Sequence, residues 1–170
     1  MKTVIVGAGI GGLSASLALA RNGHCVTVYE SAPQLAEVGA GVQMSPNAVR
    51  LFFEWGVGPD LLEKAALPQS LYIHNWKDGR ILGETKITPD FEKRYGAPYI
   101  VVHRAEMHEI LHRHAVRAGV TVHVASKVIK YDFEQGVITL EDGQTVQADL
   151  IVAVDGASGT PMARSEEFLT

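Results

Sequence analysis

The spacing Gly7-x-Gly9-x-x-Gly12, followed eighteen residues later by Glu30, is where this sequence carries its clearest potential for chemistry. In that pattern Gly7 permits a tight strand-to-helix turn. Gly9 lets a pyrophosphate approach bare backbone, and Gly12 lets helix and strand pack closely. A helix opening at this point offers free N–H groups and the positive end of its dipole to phosphate oxygens. Glu30 is placed to accept hydrogen bonds from both hydroxyls of an adenosine ribose. An acid there, rather than an arginine, favours a ribose with a free 2′-hydroxyl, and so FAD or NAD over NADP.

A second constellation competes for attention. His108-Glu109-Ile110-Leu111-His112 is a literal H-E-x-x-H on a predicted helix, with two possible zinc ligands four residues apart and Glu109 as a general base. Against zinc, both histidines flank an apolar stripe and no third ligand follows at a suitable spacing. They read as half-exposed helix histidines, and no metal site is expected.

The elements that must position Gly7 to Glu30 are legible on either side of it. Thr3-Val4-Ile5-Val6 is a strand, Leu13 to Ala20 a helix ended by Gly23, and His24 to Tyr29 a second strand with Glu30 at its carboxyl end. The uncharged stretch Gly39-Ala40-Gly41 to Asn47 is expected to lay bare backbone against a flat ligand. Ser45 then caps a helix with Pro46 at its first position, running to Gly56. Asp60 to Ala66 reads as a short helix. Lys77-Asp78-Gly79 joins two strands in a hairpin, and residues 86–98, with two prolines and mixed charge, read as loop.

Beyond it, Tyr99 to His103 leads into a helix from Arg104 to about Ala118. Its buried stripe is Met107, Ile110, Leu111, Ala115 and Ala118. Val120 to Val124 continues the parallel sheet. Three strands from Val128 to Gln147 form an antiparallel meander. Ala148 to Val154 reads as a strand buried on both faces, ending at Asp155-Gly156. The fold expected is α/β: a Rossmann-like, mainly parallel sheet with a crossover β-meander and a hairpin from an incomplete second layer.

Composition excludes several classes. A net charge of −4 over 170 residues gives no electrostatic case for nucleic acid or an anionic membrane. No apolar run approaches the ~20 residues needed to span a bilayer. The N-terminus opens on a strand and a glycine turn rather than an apolar leader. The single cysteine, Cys25, rules out an internal disulfide and fits a reducing compartment, so a cytoplasmic location is expected. It is read as a small core residue.

Taken together these stretches resemble the N-terminal part of the class A flavoprotein aromatic hydroxylases. Within that group, the branch resembled is that of salicylate 1-hydroxylase and 3-hydroxybenzoate 6-hydroxylase. The resemblance rests on the glycine fingerprint with Glu30, Glu37-Val38-Gly39-Ala40-Gly41-Val42 through Ser45-Pro46-Asn47-Ala48, His103-Arg104 before a helix, and Ala148 to Val152 ending in Asp155-Gly156.

The resemblance implies FAD as cofactor, with NADH or NADPH as a transient co-substrate, and a small aromatic acid and O₂ as the parent enzyme's reactants. Gly7, Gly9 and Gly12 would hold the pyrophosphate and Glu30 the adenosine ribose. Gly41 and Val42 would border the flavin ring, and Arg104 would contact the phosphate–ribityl part. Val128 would offer backbone to adenine, and Asp155 would belong to the second motif, beside the pyrophosphate.

The sequence departs from the family twice. Its Asp-Gly-x-x-Ser-x-x-Arg pattern meets Gly159 and Met162, with Arg164 two residues further on, and no later Gly-Asp motif follows. The expectation is one FAD-binding domain over 1–170, truncated by the family's standard, with 68–98 an excursion toward a substrate domain. Self-association, or a partner chain supplying the missing half, is expected with it. The alternatives are a non-catalytic flavin-binding fragment and an NAD-dependent Rossmann dehydrogenase.

Overall fold

The computed structural model describes residues 1–35 and 40–156. In chain order, the first elements are β1 (Lys2–Val6), α1 (Ile10–Arg21), β2 (Cys25–Tyr29), β3 (Gly41–Met44), α2 (Pro46–Glu54) and α3 (Gly58–Lys64). Then come β4 (Ser70–His74), β5 (Ile81–Lys86), α4 (Asp90–Tyr95), β6 (Ile100–His103) and α5 (Arg104–Arg117). The chain continues through β7 (Thr121–His123), β8 (Val128–Asp132), β9 (Val137–Leu140), β10 (Thr145–Gln147) and β11 (Leu150–Ala153). It divides into two compact units, Met1–Ala36 with Leu111–Thr170, and Glu37–Ile110.

The first unit is a four-stranded parallel sheet in the order β11-β1-β2-β7, with a three-stranded antiparallel meander in the order β10-β9-β8. β1 has neighbours on both sides, and Thr3 to Val6 are all buried, which is why Val4 to Val6 are apolar. α1 packs on β1 and β2 through Gly12, Leu13, Ser16 and Leu17. The polar member of that face is satisfied: the Ser16 hydroxyl donates to the Leu13 carbonyl at 2.7 Å. The meander closes a core of its own with the sheet, in which Val128, Ile138, Leu140 and Ala148 pack with Val4 and Val6.

Two expectations fail in this unit. Cys25 is exposed, not buried. It is the first rung of β2, opposite exposed Lys2, and only Val26 and Val28 turn into the core. β11 is half-buried throughout rather than enclosed, because it forms the edge of the described sheet.

The second unit pairs β3 with β6 antiparallel, Gly41 opposite His103 and Met44 opposite Ile100. α3 packs on β6 and on α2, and β4 and β5 pair as an antiparallel hairpin. Gly41 to Met44 is therefore a strand, since its residues find a partner in β6. α3 begins two residues earlier than expected, at Gly58.

The stretch 86–98 is not all loop. Its two prolines fall outside the helical turns, and α4 forms between them with Asp90 and Glu92 in the first turn, Lys93 and Arg94 in the last, and a left-handed Gly96 to stop it. That charge order suits the helix dipole. α5 buries Met107, Ile110, Leu111 and Ala115 as the period demands. His108 is buried as well, contrary to the half-exposed reading, because it lies three residues before Leu111 on the same stripe; His112 is half-buried.

Candidate dinucleotide site

In the first unit, β1 runs into a turn whose geometry demands glycine twice. Gly7 has φ +101°, and a methyl group on it would lie 2.5 Å from the Val154 carbonyl oxygen and 3.1 Å from the Asp155 Cα. A methyl group on Gly12 would lie 1.9 Å from the Gly7 carbonyl oxygen. Gly9 is different. Its φ of −69° and ψ of −179° suit any residue, and nothing lies within 4 Å of where its Cβ would stand. Neither backbone nor packing requires glycine there, so an open approach to the backbone is what its missing side chain provides. Gly9 is also the N-cap of α1, whose first turn carries no acidic residue and whose leading amides have no intrahelical acceptor.

Glu30 stands at the end of β2 and faces this turn. The Ala8 amide donates to its Oε2 at 2.7 Å and the Ala32 amide to its Oε1 at 2.8 Å, with the Ser31 hydroxyl also donating to Oε1. Burial alone would raise the carboxyl pKa. The amides of Ala32 and Ala8, with the hydroxyl and amide of Ser31, outweigh it and hold the group below its ordinary range. A carboxylate has about four acceptor positions, and Oε2 meets one donor among these bonds, which leaves it capacity for a ribose hydroxyl. The Glu30 backbone is fixed from the other side, its amide donating to His123 and its carbonyl accepting from Ser126, both at 2.8 Å.

Those bonds bring Val128 into the same region, two residues beyond Ser126. Its side chain is buried in the core, so its backbone is what a ligand could meet. Asp155 follows β11 and lies against Gly7. Its Oδ2 accepts a hydrogen bond at 2.9 Å from the Tyr131 hydroxyl on β8. Sequence reasoning missed Tyr131: the two residues are 24 apart, and only the register of the meander brings them together.

The first unit thus unites Gly7, Gly9, Gly12, Glu30, Val128 and Asp155. The second unites Gly41, Val42 and Arg104: the β3–β6 ladder sets Gly41 and Val42 opposite His103 and Val102, and the Arg104 amide donates to the Ala40 carbonyl at 2.9 Å. Glu37, Val38 and Gly39 of the expected flavin-side segment, with Gly159, Met162 and Arg164, lie outside the described residues. Among the described residues no group of three His, Cys, Asp or Glu side chains could hold a metal ion. Nor is any described helix long and apolar enough to cross a membrane.

Comparison with known proteins agrees with this geometry. Residues 1–166 match the FAD binding domain family. The 3-hydroxybenzoate 6-hydroxylase of Polaromonas naphthalenivorans (strain CJ2) is 34% identical over 170 residues, covering 99% of this chain and 42% of that protein. The 6-hydroxynicotinate 3-monooxygenase of Pseudomonas fluorescens is 31% identical, covering 92% of this chain and 41% of its own length. Among solved structures, a mutant of 2-methyl-3-hydroxypyridine-5-carboxylic acid oxygenase superposes with a TM-score of 0.81 at 28% identity, over 93% of this chain and 40% of that one. CtdE in complex with FAD and a substrate gives 0.79 at 25%, over 92% and 38%. The chain spans about two fifths of the length of these relatives. It belongs to the FAD binding domain family, and its cofactor is FAD.

Proposed function

We propose that this chain is the cofactor-binding part of an NAD(P)H-dependent flavin monooxygenase that hydroxylates a small aromatic acid, of the kind represented by 3-hydroxybenzoate or salicylate. The observation that carries this reading is the Ala8–Glu30 hydrogen bond, which holds an ionised acid beside a glycine turn left open at Gly9. The relatives support the reaction class: they are named for hydroxylation of 3-hydroxybenzoate, 3-amino-4-hydroxybenzoate and 6-hydroxynicotinate.

On this reading the backbone from Gly7 to Gly12 binds the FAD pyrophosphate through the first-turn amides of α1, Glu30 binds the adenosine ribose, and the Val128 backbone meets adenine. Gly41 and Val42 border the flavin ring, and Arg104 contacts the phosphate–ribityl part. Asp155 completes the pyrophosphate side. The bound flavin supplies the redox chemistry, passing two electrons from NAD(P)H to O₂, so that one oxygen atom enters the ring as hydroxyl and the other leaves as water. Residues 1–170 act as one cofactor domain, and 68–98 reach toward the substrate-binding part of the whole enzyme.

Titration of the purified chain with FAD, followed by quenching of flavin fluorescence, tests this directly. Saturable binding of one FAD per chain is expected. Binding of NAD with none of FAD would replace the reading with that of a dehydrogenase.

A further inference from the structure

We propose that the second unit carries a separate binding site for a small aromatic carboxylate, in the cavity between α2 and α4. The cavity has a volume of about 510 Å³, within the range of small-molecule pockets. It is built by helical spacing. On α2, Asn47 and Arg50 are three apart and share one face, and on α4 the positions 91, 94 and 95 do the same. The resulting lining is Ser45, Asn47, Arg50, Phe91, Arg94 and Tyr95, with the ring of Pro46.

Its chemistry is that of a ring bearing a carboxylate. Arg50 and Arg94 are among the lining residues and no acidic residue is, and a guanidinium fork matches a carboxylate with paired hydrogen bonds. Arg94 is already held in place, its guanidinium 5.4 Å from the Tyr95 ring centroid. Phe91 lies edge-on to Tyr95 at 5.5 Å and to Tyr99 at 6.1 Å, so the apolar wall is a braced aromatic cluster able to flank another ring. The Tyr99 hydroxyl is tied in turn to Gln43 at 2.7 Å. Ser45 and Asn47, hydrogen-bonded to each other, add polar groups for a ring hydroxyl or ring nitrogen.

The choice of an aromatic acid as occupant rests on the function proposed above; the cavity and its charges do not. The expected ligand is a hydroxylated benzoate or pyridine carboxylate, bound by this chain without any contribution from a substrate domain.

The test is calorimetric titration of the whole chain with 3-hydroxybenzoate, alongside benzyl alcohol as a ring without carboxylate and inorganic phosphate as an anion without a ring. Arg50→Gln and Arg94→Gln change exposed side chains, and circular dichroism checks that they fold. Saturable 1:1 binding is expected, weakened about tenfold by either substitution, the scale of one charge-assisted hydrogen bond. Benzyl alcohol and phosphate should each bind at least about tenfold more weakly.

Absence of saturable binding, affinity unchanged from wild type in both variants, or phosphate binding as tightly as the acid would overturn the site. FAD titrations on the same samples separate this from the cofactor reading. Loss of acid binding with FAD retained sinks only the cavity, and the converse sinks only the flavin site.

Discussion

The amide of Ala8 donates to the Glu30 carboxylate across 22 residues of sequence, tying the end of β1 to the end of β2 at 2.7 Å. This one bond fixes the acid beside the glycine turn. It also makes the acid's charge part of the fold, since three neighbouring residues donate to it.

Glu30→Gln should therefore act on stability and on cofactor. The Glu30 pKa lies below its ordinary value of 4.5, so the ionised form is what the fold stabilises. That contribution is complete above the ordinary value and is lost as pH falls through the lower folded value. Thermal melts from pH 7 to pH 3 should show a stability difference between wild type and variant that shrinks below pH 4.5. FAD affinity at pH 7 should fall by about 1–3 kcal/mol. A gap in stability that persists unchanged to pH 3 would contradict the role given to the charge.

Tyr131→Phe should loosen the turn from the meander side. Burial first, and then the hydrogen bond to Asp155, push the Tyr131 hydroxyl far up from its ordinary value of 10.0. A raised phenol contributes stability in full below its unfolded value and loses it as pH rises toward the folded one. The variant should lose about 1 kcal/mol at pH 7 and should also lose the alkaline part of the stability profile above pH 10. Urea titrations at neutral and alkaline pH measure both. An alkaline limb identical to wild type would show that Tyr131 does not titrate as described.

What the sequence disclosed, and what it hid, divides along a physical line. Gly7, Gly12 and Glu30 could be read because their constraints are local: a positive φ, a close approach, an acid at a strand end. The hairpin at Asp78-Gly79 and the meander turns were legible for the same reason. Tyr131–Asp155 was not, because register alone pairs them. α4 was hidden by its flanking prolines, although its charge order was a usable signal. Cys25 and His108 were misread through position: a strand's first rung escapes the core, and a histidine at the edge of an apolar stripe does not.

The β4–β5 hairpin exposes Leu71, Ile73, Trp76, Ile81 and Leu82, with Trp76 88% accessible. Clusters of this kind drive association. Sedimentation should show concentration-dependent oligomers of this chain, relieved by Ile73→Lys combined with Ile81→Lys. A chain that stays monomeric at every concentration would show that the hairpin needs no cover.

If the glycine turn holds a dinucleotide, Gly9→Ala and Gly12→Ala should fail in different ways. The added methyl at residue 12 meets the Gly7 carbonyl and should cost a large share of the stability. At residue 9 it meets nothing. A fluorescence titration with FAD, run beside a thermal melt, should find that Gly9→Ala melts like wild type yet binds FAD at least about tenfold more weakly, the cost of losing one close backbone contact. Wild-type FAD affinity in a normally folded Gly9→Ala chain would show that the open backbone at residue 9 does not receive the cofactor.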